Sequence, residues 1–200
     1  MPHFLKIDAV EKLLGAAQAR NQVHWLMILV PFLHALRAHE VVGGFVAWKD
    51  KKTGEKKRVH YRGLTPENVV GTKLVLQRLK GSKPVEEELF ESENPLFSER
   101  ESLLALCRKT HPKQRLFPVT ARTFQRIVHR YGELAGLPEL YCHPHMLKGS
   151  GLDYLREKMP LEELQEHSGH KSLDSLRAYL NPNKASAERK TRAAFLVPAV

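Results

Sequence analysis

The stretch QVHWLMILVPFLHALRAHEV, residues 22–41, constrains the fold more than any other segment. Much of it is apolar on every side, so the pattern predicts a helix with no face to give to water. Such a helix is stable only when other elements surround it, which makes it the expected centre of the core. Pro31 removes a backbone donor and crowds the preceding turn, and is expected to kink or divide the helix. Pro31 and His34 also interrupt the apolar run, which stays short of the roughly 18 residues that mark a membrane-spanning helix.

Upstream, IDAVEKLLGAAQA at 7–19 has helical periodicity, with Val10, Leu13 and Leu14 on one side. Downstream the texture changes. GGFVAWKD, KKRVHYRG, TKLVLQRL and PVEEELF are short and β-rich, and three of them alternate. KKTGE and KGSK separate consecutive pairs and read as tight loops. A small antiparallel sheet is therefore expected near residues 43–90. From Ser98 onward helices are expected at about 98–109, 120–135, 145–157, 160–167 and 172–180, with Thr120, Pro160 and Ser172 as starts and Gly136 as a stop. No repeat or linker divides the chain. The expectation is α+β: one mainly helical domain over residues 1–180, then a tail, 181–200, ending in the apolar AAFLVPAV.

The chain of 200 residues carries 32 Lys and Arg against 22 Asp and Glu, a net charge of +10. That balance favours a polyanionic partner, nucleic acid first and an anionic membrane surface second. A membrane surface calls for one dominant basic amphipathic helix, and none is present. The charge is instead spread over KDKKTGEKKR, KGSK, RKTHPKQR and ERKTR, a distribution suited to wrapping a duplex. The 2 cysteines, Cys107 and Cys142, are too few for a disulfide framework, and the N-terminus has no signal-peptide pattern. A reducing, cytoplasmic and nucleoid-associated location is expected.

One set of residues suggests chemistry. Arg37 ends the apolar helix and is followed three residues later by Glu40. Lys80 lies in the turn of LVLQRLKGSKP, with Lys83 as its rival. His145-Met-Leu-Lys148 follows, with His143 as a neighbouring candidate, then Gly169-His170, then Tyr179 nine residues beyond that histidine. Taken singly, each has a bland explanation: Arg37 as a helix-end cation, Lys80 as a solvated turn residue, Tyr179 as a buried aromatic beside Leu176 and Leu180. His143, His145, His167 and His170, with Cys142, lack the paired spacing of a structural zinc site.

Taken together, the order and spacing resemble the tyrosine recombinase (phage integrase) family. The family pattern is an arginine in a G-L-R-x-x-E-like helix end, a turn lysine, H-x-L-R, L-G-H, and a tyrosine nine residues on. The resemblance implies a DNA-cleaving catalytic domain in which Tyr179 attacks the phosphodiester and forms a 3′-phosphotyrosyl link. Arg37 would fork two non-bridging oxygens, and Lys80 would protonate the leaving 5′-oxygen. His145 would take the tyrosine proton or bind the phosphate, and His170 would donate a hydrogen bond to it. Neither metal nor nucleotide is needed in this scheme, because the cations are side chains. The implied partner is double-stranded DNA, with tetrameric self-assembly in a synaptic complex and the tail docking on a neighbouring protomer. Glu40 is expected to hold Arg37 rather than to react.

Three departures stand out. Lys148 takes the place of the second arginine, and Gly149 that of the histidine that commonly follows. FVAWKDKKTGEKKRVHYRG lengthens the path from Arg37 to the turn lysine and reads as an extra basic hairpin. Only 36 residues precede Arg37, where the family usually carries an N-terminal helical domain; this suggests an excised catalytic domain or a short standalone recombinase. Two other readings stay open: a topoisomerase IB-like relaxing enzyme, and a catalytically impaired DNA-binding protein with the same fold.

Overall fold

The computed structural model describes residues 4–49, 53–79, 83–173 and 176. Its helices are α1 (Ile7–Gln18), α2 (Gln22–Leu33), α3 (Ala38–Val42), α4 (Arg100–Lys109), α5 (Ala121–Leu134), α6 (Pro144–Leu155) and α7 (Leu161–Ser168). The strands are β1 (Gly44–Lys49), β2 (Lys56–Tyr61), β3 (Val69–Val70), β4 (Lys73–Leu76) and β5 (Val85–Glu88). The class is α+β, mainly helical. The expected single sheet is two separate antiparallel ones, an isolated β1–β2 hairpin and a β3–β4–β5 sheet. The expected helix at 172–180 falls mostly outside the described residues.

The central helix is α2, in which Trp25 to Phe32 are all buried. Asn21 caps it by accepting the His24 backbone N–H at 2.9 Å. Pro31 lies inside the helix without ending it. The break comes four residues later, at Ala35, whose φ of +48° makes it the one non-glycine residue with positive φ among those described. The periodic segment 22–41 is thus two helices, α2 and α3, with a corner between them. That corner carries Arg37.

Helix α6 crosses α2 at close range, and glycine permits it. A Cβ on Gly151 would overlap the carbonyl oxygen of Phe32. A Cβ on Gly149 would overlap the Phe4 ring, while the Ser150 hydroxyl accepts the Leu5 backbone N–H at 3.0 Å. The N-terminal segment therefore fills the space that a larger residue at 149 would need, which accounts physically for the glycine there. A second small core, made of Ala35, Leu152, Leu164 and Leu176, packs α6, α7 and the segment beyond α7 against the Ala35 corner.

Among the described residues no helix is long and apolar enough to cross a membrane.

Candidate active site

Arg37 is the N-cap of α3, and its own position is fixed by Glu40. The buried Glu40 carboxylate accepts the Arg37 backbone N–H at 2.5 Å and pairs with its guanidinium at 3.2 Å. The same carboxylate accepts the backbone N–H of Leu79 at 2.7 Å. Glu40 therefore joins the arginine corner to the β4–β5 connection at the residue immediately before Lys80. Lys80 itself lies outside the described residues. Its rival Lys83 is described and exposed.

On α6, Pro144 occupies the first turn, where its missing N–H costs nothing. His145 is exposed, and one turn later Lys148 is fully buried, at 0% exposure. Burial, then the charges of Arg37 and Arg78, push the Lys148 ammonium well below its ordinary pKa, while Glu40 pulls the other way. Although His145 is exposed as a residue, partial burial of its ring, then His143, Lys148 and Arg37, hold it below the usual histidine value. His143 stacks near it, with ring centroids 6.4 Å apart. Its pKa is lowered by burial, against a hydrogen bond to the Leu140 backbone. The Arg37 and Lys148 charges both act on His145.

His170 follows the left-handed Gly169 cap of α7 and is 6% exposed. Its Nδ1 shares a 2.6 Å hydrogen bond with the Ser168 hydroxyl. Burial lowers its pKa to about 3, helped by the Lys148, Arg37 and Arg78 charges, so the ring is neutral at physiological pH. Tyr179 lies outside the described residues. Leu176, three residues before it, is buried against the Ala35 corner.

Arg37, His145, Lys148 and His170 come from three separate segments and share one electrostatic neighbourhood. The Arg37 guanidinium, the Lys148 amine and two imidazoles in one neighbourhood are suited to an anion such as a phosphodiester.

Several buried groups at this site carry no sequence signal. His34 is wholly buried between Glu87 and Glu99, each at 2.6 Å. Burial opposes its charge, but the Glu99 charge and hydrogen bonds to both carboxylates prevail and raise it to about 9. Glu87 also bonds His167 at 2.8 Å; burial opposes its charge, and the two histidines hold it down to about 2. Arg78, 2% exposed, sits beside this network. A buried arginine within QRLK and a histidine at a helix end look like ordinary surface residues when read in one dimension.

The model of the phage integrase family matches residues 3–186, and the chain belongs to that family. A search of curated proteins found no match. Among solved structures the chain resembles XerA recombinase, with a TM-score of 0.68 and 18% identity over 100% of this chain and 65% of that one. It resembles a lambda integrase fragment crystallised as a dimer bound to a COC′ core site, with a TM-score of 0.64, 15% identity, and coverage of 90% and 59%. The catalytic domain of bacteriophage HP1 integrase matches with a TM-score of 0.56 and 18% identity over 100% of both chains. At these identities the likeness establishes the fold. The chain spans 65% and 59% of the first two proteins named.

Proposed function

We propose that this chain is the catalytic domain of a site-specific DNA recombinase or integrase, cleaving and rejoining duplex DNA through Tyr179. The Tyr179 phenolate oxygen bonds to phosphorus as the bond to the 5′-oxygen breaks. His145 receives the phenolic proton, and Lys80 supplies one to the leaving 5′-oxygen. Arg37 and Lys148 balance the charge of the phosphorane, and neutral His170 donates an N–H to it. Reversal, with a DNA 5′-hydroxyl as nucleophile, rejoins the strand. Assembly on DNA, with the tail 181–200 docked on a neighbouring protomer, belongs to the same reading; the lambda integrase fragment bound to its core site as a dimer is consistent with it.

The observation that supports this reading is the Glu40 carboxylate, which joins Arg37 to the backbone of Leu79, the residue that precedes Lys80 in the sequence. The test is a nicked duplex from which the cleaved fragment diffuses away. The reading requires an SDS-resistant protein–DNA adduct, and exchange of strands between two sites distinguishes recombination from relaxation alone.

One observation favours a second reading, a DNA-binding protein that keeps the fold and has lost cleavage. Lys148 is buried, with its charge disfavoured. Under that reading the duplex is bound and no adduct forms.

A further inference from the structure

Resting on the recombinase reading, we propose that Arg78 is a positioning residue for cleavage: its guanidinium clamps together the segments that lead into Arg37, Lys80 and His170. The Nη1–H donates to the Ala35 carbonyl at 3.0 Å, and Nη2 donates to the carbonyls of His34 at 3.0 Å and His167 at 2.5 Å. Ala35 lies two residues before Arg37, His167 three before His170, and Arg78 itself two before Lys80. One planar fork thus joins three chain segments that run on, in the sequence, to Arg37, Lys80 and His170.

Two further observations make the clamp specific. Ala35 adopts φ +48°, an unfavourable conformation for a residue with a side chain, and persists only where its surroundings hold it. The carbonyls of Ala35 and its predecessor are the ones that Arg78 binds. On the other side, a Cβ at Gly169 would lie 2.5 Å from the Arg78 Cδ and 2.8 Å from its Nε. The turn before His170 is therefore pressed onto the guanidinium and leaves room only for glycine. The Nε–H is buried without a hydrogen-bond partner among the described residues, and all three bonds of the fork go to backbone carbonyls. A lysine offers one rotatable ammonium and cannot reproduce this planar geometry.

The experiment compares wild type, Arg78→Met and Arg78→Lys in the full chain, by amide hydrogen exchange of the free protein and by single-turnover adduct formation on a nicked duplex. In Arg78→Met the amides of Leu36 and His170 should lose protection together, by about ten-fold or more, while core amides of α2 keep theirs. Adduct formation should fall by about ten-fold or more while affinity for the duplex changes far less, with Arg78→Lys in between. Unchanged protection, loss in only one of the two segments, or parallel loss of rate and affinity would overturn the proposal. If Arg78→Met does not fold, Arg78→Lys is judged by the same criteria. A wild type that forms no adduct sinks the recombinase reading, and hydrogen exchange still decides the clamp.

Discussion

A lysine at position 148 puts one compact charge where a guanidinium would put a fork, and the structure buries that charge completely. Its folded pKa is depressed, so the unfolded chain binds the proton more tightly and the residue costs stability at neutral pH, a cost that shrinks as pH rises toward 10.5. Lys148→Met should therefore raise the urea midpoint at pH 7, while adduct formation drops by about a hundred-fold. Stability and rate moving in opposite directions marks a group retained for chemistry. Equal rates in wild type and Lys148→Met would make Lys148 a mere packing residue. Lys148→Arg keeps or raises the rate only if the buried pocket rearranges to admit the larger head. His170 follows a related rule. With a folded value of about 3 against 6.5 unfolded, its contribution to stability is present above pH 6.5 and is lost as pH falls toward 3.

At the scale of elements, the β1–β2 hairpin offers the clearest test of contact with DNA. Its register pairs Phe45 with His60, Ala47 with Arg58 and Lys49 with Lys56, so these six share one face, and all six are exposed. That face carries no acidic residue, and Arg58 lies over the Phe45 ring at 4.2 Å from its centroid. Replacing Lys49, Lys56 and Arg58 together by Gln should flatten the salt dependence of duplex binding by roughly 0.9 in the log–log slope for each cation that contacts a phosphate. An unchanged slope would mean that the hairpin faces away from DNA.

The α2–α6 crossing gives a test of packing. Alanine at 151 gains about 1 kcal/mol in helix propensity. It also forces a Cβ into the Phe32 carbonyl, which should cost more, about 1–3 kcal/mol of overpacking. Gly151→Ala should thus lower the denaturation midpoint, and a higher midpoint would contradict the close crossing.

These elements show how much was legible. The helix starts at Thr120 and Pro160 and the centrality of α2 follow from local chemistry, and the sequence pattern contains them. The candidates Arg37, His145, Lys148 and His170 were singled out by their spacing along the chain. The corner at Ala35 was not, because Pro31 is the stronger local breaker, and the bonds from Arg78 that hold the corner arrive from about forty residues away. The split of the sheet and the short strand Val69–Val70 likewise depend on pairing partners rather than on alternation.

At the scale of the molecule, the buried network of His34, Glu87, Glu99 and His167 ties α2, β5, α4 and α7 together. Its pH dependence has a definite sign. His34 is raised to about 9, so its stabilisation is complete below pH 6.5 and is lost as pH climbs through about 9. Glu87 is depressed to about 2, so its share is present above 4.5 and is lost as pH falls through about 2. The gap in unfolding midpoint between wild type and His34→Gln should be widest near pH 6 and should close by about pH 9.5. A gap independent of pH would mean that His34 is not charged in the folded state.

The central claim is that this fold brings its cations to a phosphate attacked by Tyr179. The direct measurement is mass spectrometry of the adduct formed on a nicked duplex by wild type and by Tyr179→Phe, which lacks only the phenolic hydroxyl. The account predicts a wild-type adduct in which the 3′-phosphate is joined to Tyr179, and a phenylalanine variant that binds the duplex with wild-type affinity and forms none. An adduct that persists in Tyr179→Phe, or one mapped to another residue, would contradict it.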